Sequence, residues 1–189
     1  MPTCWILAGP NGAGKTTQGL DYLTQLSEDV NFINADHIAA GISPLFPERK
    51  LLTASRLFLS ELEKCVVNRN DFAIETTLSG RYHLRLINRL RAESWRTILF
   101  YLALPSVEMS INRVMERVNC GGHNIPSRNI KRRFPRSLRM LLNKYSHLMD
   151  QCICYMNDEI EPKPVFVQHG NNRHIMDDYL FKILEKASK

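Results

Sequence analysis

Short apolar runs alternate with amphipathic stretches along this chain, and the alternation predicts strands separated by helices. Cys4, Trp5, Ile6, Leu7 and Ala8 form the first run, and residues 16–26 follow with helical spacing. Residues 30–34 predict a second strand, with Ala35, Asp36 and His37 at its carboxyl end. Pro44 and Pro47 punctuate a loop, after which residues 48–68 place Leu51, Ala54, Phe58, Leu62 and Cys65 on one helical face. A third strand is predicted over 71–75 and a helix over 81–94. Residues 97–104 are almost continuously apolar, as expected of a parallel strand covered on both faces. Pro105 stops that strand, and Ser106 can cap a helix whose apolar face is Val107, Ile111, Val114, Met115 and Val118. A break over 121–126 leads to a long helix from about Ser127 to near Asp150. Residues 165–168 read as a fifth strand and 172–186 as a closing helix.

Strands alternating with helices mean a parallel sheet covered on both faces, an α/β three-layer sandwich with a mainly parallel five-stranded sheet. A chain of 189 residues supports one such domain and not two with a linker. No internal repeat or low-complexity segment interrupts it. No run approaches 18 apolar residues, and the chain enters a core strand without a basic leader, so a cytoplasmic location with no membrane contact is expected. Five cysteines, Cys4, Cys65, Cys120, Cys152 and Cys154, are odd in number and sparse, which fits free thiols in a reducing compartment. A zinc site from Cys120, His123, Cys152 and Cys154 would need a one-residue spacing where zinc knuckles use two, so these thiols read as buried or incidental.

The most informative stretch is Gly9-Pro10-Asn11-Gly12-Ala13-Gly14-Lys15-Thr16, followed by Thr17, lying between the first strand and the first helix. Such a G-x-x-x-x-G-K-[ST] pattern arises by chance in a chain this long on the order of 0.01 times. The chemistry explains the residue types. Glycines let backbone N–H groups approach phosphate oxygens, the helix N-terminus adds positive potential, the lysine reaches the β- and γ-phosphates, and the hydroxyl of Thr16 can ligate Mg²⁺. ATP and Mg²⁺ are the expected ligands, in a P-loop kinase-like core.

Phosphoryl transfer to a hydroxyl also needs a base and cations over the transferring group. Asp36, just past a strand end, is the candidate base; the rival reading is an Asx turn or helix cap. Glu75 ends an apolar strand and, with Thr76, Thr77 and Ser79, is a candidate for holding a Mg²⁺-bound water or a substrate hydroxyl; the rival reading is a strand-end carboxylate without a ligand. The net charge of +6 is concentrated locally. Arg113 and Arg117 stand four apart on one helix, and Arg128, Arg132, Arg136 and Arg139 continue the pattern on the next. Ile130, Phe134, Leu138, Leu141 and Tyr145 run roughly 200° around that helix from the arginines, and Pro135 should kink or break it. With Gly121 and Gly122 supplying backbone freedom, residues 119–137 read as a helical lid carrying Arg128, Arg132, Arg133 and Arg136 over ATP, Arg113 and Arg117 joining the ATP site and Arg117 meeting the transferring phosphate. Rival readings of the stripe are a solvated face and a polyanion site, and aromatics for stacking bases are sparse there.

Together these segments resemble the zeta toxin family of P-loop kinases. The signatures are GPNGAGKTT at 9–17, NADHIA at 34–39, ETTLSG at 75–80, LPSVEMSINRVMERVNCGGHNIP at 104–126 and RRFPRSL at 132–138. The resemblance implies ATP-dependent phosphorylation of a small hydroxylated substrate, a sugar nucleotide in zeta toxins, and an antitoxin protein as partner. It assigns Lys15 and Thr16 to ATP and Mg²⁺, Asp36 to the base, Glu75 to a substrate-side acid and arginines to the lid. Near Asn157, YMND stands where similar sequences have a Tyr-Asp-Asn-Ser run. The alternatives are a polynucleotide or RNA kinase using the basic helix for a strand, and a non-catalytic ATP-binding switch; neither nucleic acid nor a membrane is the expected partner.

Overall fold

The computed structural model describes residues 1–26, 30–122, 124–158 and 161–189. Among them, seven strands form one sheet: β1 (Thr3–Ala8), β2 (Asn31–Ile33), β3 (Phe72–Thr76), β4 (Arg96–Ala103), β5 (Gln151–Met156), β6 (Lys163–His169) and β7 (Asn172–Ile175). Their order is β2-β3-β1-β4-β5-β6-β7, paired parallel from β2 to β5, with β6 antiparallel to both β5 and β7. The helices are α1 (Lys15–Leu26), α2 (Ala35–Ile42), α3 (Leu51–Asn68), α4 (Tyr82–Ala92), α5 (Val107–Asn119), α6 (Ser127–Met140), α7 (Ser146–Leu148) and α8 (Asp178–Ala187). A π-helical segment, Leu141–Tyr145, joins α6 to α7. Among the described residues no helix is long and apolar enough to cross a membrane.

All six residues of β1 are buried, and β1 lies between β3 and β4 at the centre of the core. Because the chain leaves β1 toward the β2 edge and later returns to β4 on the other side, the carboxyl end of β1 opens into the crevice where such sheets bind ligands. The register pairs Leu7 with Glu75 and Ala8 with Thr76, so the acid at the end of β3 comes level with the start of the Gly-rich turn.

The expected five strands are corrected to seven. β5 follows the long helix directly, its first turn tied by the carboxylate of Asp150, which accepts from the amide of Thr97 at 2.7 Å and from its hydroxyl at 2.9 Å. β7 occupies the start of the stretch expected as the closing helix; that helix begins only at α8, where Asp177 Oδ1 accepts from the amide of Leu180 at 2.9 Å. Such a cap contributes about 1 kcal/mol. Helix α2 was not foreseen either. Its cap is Asn34, whose Oδ1 accepts from the amides of Asp36 and His37 at 2.8 and 3.3 Å. The expected break at Pro135 is absent: α6 passes through that residue and widens into the π turn only from Leu141. Its apolar side is as expected, with Ile130, Phe134, Leu138, Leu141 and Tyr145 all buried.

Candidate active site

The Gly-rich turn is clamped from several sides. Gly9 has φ +146°, and a Cβ there would lie 2.1 Å from the carbonyl oxygen of Leu102 on β4. Gly14 has φ +79°, and a Cβ there would meet Asn157 Nδ2 at 2.9 Å. That amide donates to the carbonyl of Ala13 at 2.9 Å, while the backbone N–H of Asn157 donates to Ala103 at 2.9 Å. The hydroxyl of Ser110 on α5 donates to the carbonyl of Asn11. Asn157 was missed as a site residue; the signal was the YMND departure at a strand end, whose meaning depends on β5 running parallel to β4.

Lys15 is buried, and its Nζ donates to the carbonyl of Pro10 at 3.0 Å and stands 3.8 Å from Glu75 Oε1. Burial pushes its pKa down, Glu75 and Asp36 oppose that shift, and Arg117 adds to it. Lys15 therefore feels all three charges, although they come from three different elements. The second oxygen of Glu75 accepts from Thr16 Oγ1 at 2.8 Å and from Asn34 Nδ2 at 2.9 Å. Asn34, also missed, thus both caps α2 and steadies Glu75. Asp36 is exposed in the first turn of α2, and Asn34, not Asp36, supplies the cap.

Thr76, Thr77 and Ser79 lie in a turn held by its own bonds. Thr76 Oγ1 accepts from the amide of Leu78 at 3.1 Å, and the hydroxyls of Thr77 and Ser79 pair at 3.0 Å. Leu78 is fully buried at φ +51°, a left-handed conformation that a leucine adopts only when its surroundings impose it. Those surroundings include the hydroxyl of Ser137, which donates to the carbonyl of Thr77 and pairs with Tyr101 Oη at 2.7 Å, and Tyr145 Oη, which donates to the carbonyl of Gly80 at 2.9 Å.

His83 Nδ1 stands 3.5 Å from Thr76 Oγ1, and burial pushes its imidazole down to about 4. Its folded value lies below the unfolded value of about 6.5, so between the two the unfolded chain takes up a proton that the folded chain refuses. The stability carried by neutral His83 is complete above about pH 6.5 and is lost as the pH falls toward 4. Thermal melts over that window should decline more steeply for the native chain than for His83→Gln.

The arginines divide into distinct groups. The guanidinium of Arg113 donates to the carbonyls of Asn157 at 2.7 Å and Asp158 at 3.3 Å, bracing the turn that clamps the Gly-rich loop. Arg117 is exposed in the last turn of α5. Gly121 and Gly122, read in the sequence as a source of freedom, end that helix in a Schellman cap, their amides donating to Val118 and Arg117 at 2.9 Å each. A Cβ at Gly122 would lie 2.5 Å from Arg117 Cγ, so the glycine makes room for the arginine stem. Arg128, Arg132 and Arg136 are exposed and Arg133 half-buried, on a helix anchored from Ile130 onward. Arg139 donates to the carbonyls of Ser188 and Lys189 at 3.1 and 2.9 Å, away from the Gly-rich loop. As for the cysteines, Cys152 and Cys154 are buried in β5, Cys120 is exposed, and His123 lies outside the described residues. Among the described residues no group of three or more His, Cys, Asp or Glu is placed to hold a metal ion.

No protein-family model matches the chain. An uncharacterized protein of Haemophilus influenzae is 29% identical over 128 residues, which are 67% of this chain and 88% of that protein. Among solved structures, the AvrRxo1-ORF1:-ORF2 complex with ATP is similar with a TM-score of 0.71 at 15% identity, over 100% of this chain and 64% of the matched one. The PezAT chromosomal toxin–antitoxin system of Streptococcus pneumoniae is similar with a TM-score of 0.62 at 14% identity, over 99% of this chain and 86% of the matched one. The chain thus spans less than two-thirds of the AvrRxo1 chain it matches. The fold is that of a P-loop kinase. More narrowly, it is zeta-toxin-like, as the motifs at 9–17, 34–39 and 75–80 implied.

Proposed function

We propose that this chain is an ATP-dependent phosphotransferase that moves the γ-phosphoryl group of ATP to a hydroxyl of a small molecule. The observation that carries the reading is the strand–turn–helix Gly-rich loop with its buried Lys15 3.8 Å from Glu75, which in turn accepts from Thr16 at 2.8 Å. In this reading the amides of residues 9–17 and Lys15 bind the phosphates, Arg117 neutralises charge on the transferring group, and Asp36 accepts the proton of the incoming hydroxyl. The residues also fit Mg²⁺: Thr16 Oγ1 and Glu75 Oε2, hard oxygen donors 2.8 Å apart, stand at the start of α1 and would hold the ion, which supplies charge neutralisation between the phosphates. Arg113 acts from behind by bracing the 157–158 turn. Arg128, Arg132, Arg133 and Arg136 belong to this reading as cations carried by α6 on the lid side of the site. A cytoplasmic location and, by analogy with PezAT, a protein partner of the antitoxin kind belong to this reading.

The test is mass spectrometry of a metabolite extract incubated with the protein and isotopically labelled ATP, which should show a phosphorylated small molecule. Label entering RNA ends, with binding that weakens steeply in salt, would favour the polynucleotide kinase instead. Tight ATP binding without any product, and a partner protein captured only in the ATP state, would favour the switch. In the same assay Arg117→Ala should lower transfer by roughly 10²-fold or more, as removal of an arginine finger does. Arg139→Ala should do far less, because its guanidinium is bound to the carbonyls of Ser188 and Lys189. Equal small effects at both positions would make the arginine stripe a solvated surface.

A further inference from the structure

A phosphotransferase must seat its acceptor beside the base, and among the described residues a cavity touches Asp36 from the side of the Gly121–Gly122 cap. We propose that this cavity, between α2, the loop over 43–47 and the Gly121–Gly122 cap, binds a neutral hydroxyl-bearing small molecule with an apolar body. The inference rests on the kinase reading above and names the acceptor class for it.

Three observations carry it. The cavity has a volume of about 350 Å³, at the small end of the range for small-molecule sites. Its walls come from Ala39, Ala40, Pro44, Leu45 and Leu51, with the amide of Asn124 available for orientation. Among the described residues lining it, Asp36 is the single charged group. A sugar nucleotide would bring a diphosphate against that carboxylate with no lysine or arginine among the described wall residues to pair it, an arrangement that disfavours anions. A neutral acceptor meets no such cost. Its hydroxyl can approach Asp36, and Gly122, which also lines the cavity, lies against the stem of Arg117.

The exposure of the segment that supplies the wall is a second observation. Ile42, Leu45, Phe46, Leu51 and Leu52 are all exposed, Leu45 by 83%. Single exposed leucines are ordinary, but five large apolar side chains exposed within eleven residues, two of them in the cavity wall, form an apolar surface in the segment that walls the cavity. Arg49 stacks over the Phe46 ring at 4.3 Å and does not line the wall, and Arg117 meets the cavity only through its stem against Gly122. Third, the hydroxyls of Thr76, Thr77 and Ser79, expected from the sequence to hold the acceptor, are engaged within their own turn and do not line this cavity.

Saturation-transfer NMR tests the proposal directly, using a panel of neutral hydroxylated alicyclic and aromatic compounds and a separate panel of nucleoside diphosphate sugars. Both are presented to the full chain with a non-hydrolysable ATP analogue and Mg²⁺. Binders should come from the neutral panel, and Leu45→Asp and Leu51→Asp should each weaken them about tenfold, the loss expected from one leucine contact. Calorimetric affinity for the ATP analogue should stay unchanged in both variants, which shows that they fold. With ATP itself, the native chain should phosphorylate the binders. Binding confined to the sugar nucleotides, no binding from either panel, or neutral binders indifferent to both substitutions would overturn the proposal. So would a partner protein that alone occupies this apolar surface and is lost in Leu45→Asp. Failure of the chain to bind the ATP analogue at all would remove the kinase reading, and the NMR result would still report the cavity's ligand class.

Discussion

Lys15→Ala is expected to lower ATP turnover by on the order of 10³-fold or more while the chain still folds. The ammonium group lies at the centre of the site, donating to Pro10 and standing 3.8 Å from Glu75. Binding ATP would exchange those contacts for phosphate oxygens, and no other described lysine lies within the Gly-rich turn to take over. The effect on stability is a balance. Removing the buried ammonium relieves its desolvation but leaves Glu75 without that cation. Glu75 keeps its bonds from Thr16 and Asn34, so the two effects largely offset. Circular dichroism melts of the variant should stay cooperative while phosphoryl transfer vanishes. Near-normal turnover would sink the assignment of the loop.

Asp36→Asn should lower phosphoryl transfer by about 10²- to 10⁴-fold with Mg²⁺-dependent ATP affinity preserved. Asparagine keeps the volume and part of the hydrogen bonding of the exposed carboxylate but cannot take a proton from an acceptor hydroxyl. The change also removes a negative charge from the first turn of α2, which costs about 0.3–1 kcal/mol and leaves the fold in place. Glu75→Gln should show the complementary behaviour, a clear drop in Mg²⁺-dependent ATP affinity, because Glu75 shares its oxygen with Thr16 at 2.8 Å whereas Asp36 opens onto the cavity. The assignment of roles is overturned if calorimetry finds the large affinity loss in Asp36→Asn and not in Glu75→Gln.

Much of the site was legible because its parts are local. The cradle is a run of eight residues whose glycines, lysine and threonine act within a turn or two of one another. The helical apolar faces of α3, α5 and α6 repeat every three or four residues for the same reason. The strands that escaped notice carried no such repeat. In β5 the buried Cys152, Cys154 and Met156 alternate with half-buried Ile153 and Tyr155, so no polar face marks the strand. In β7 three of the four residues are polar and most are exposed, and only the antiparallel pairing with β6, from Phe166 with Ile175 to His169 with Asn172, makes them a strand. The glycines at 121 and 122 misled in another way. Their conformational freedom was read as motion, but the tertiary setting uses it to stop α5 and to make room for Arg117.

By itself, then, the sequence determined the Gly-rich strand–turn–helix unit, the helices flanking the sheet, and the candidates for base, acid and cation. The tertiary structure decided which of them meet. Thr16 finds Glu75 across 59 positions of chain, and Ala13 finds Asn157 across 144. Likewise, Asp36 shares a cavity with the glycines that follow Arg117. The reason is physical: a helix or turn is formed by bonds between residues a few positions apart. The register of parallel strands and the convergence of loops at their carboxyl ends depend instead on contacts between distant segments, which become favourable only when the whole sheet assembles.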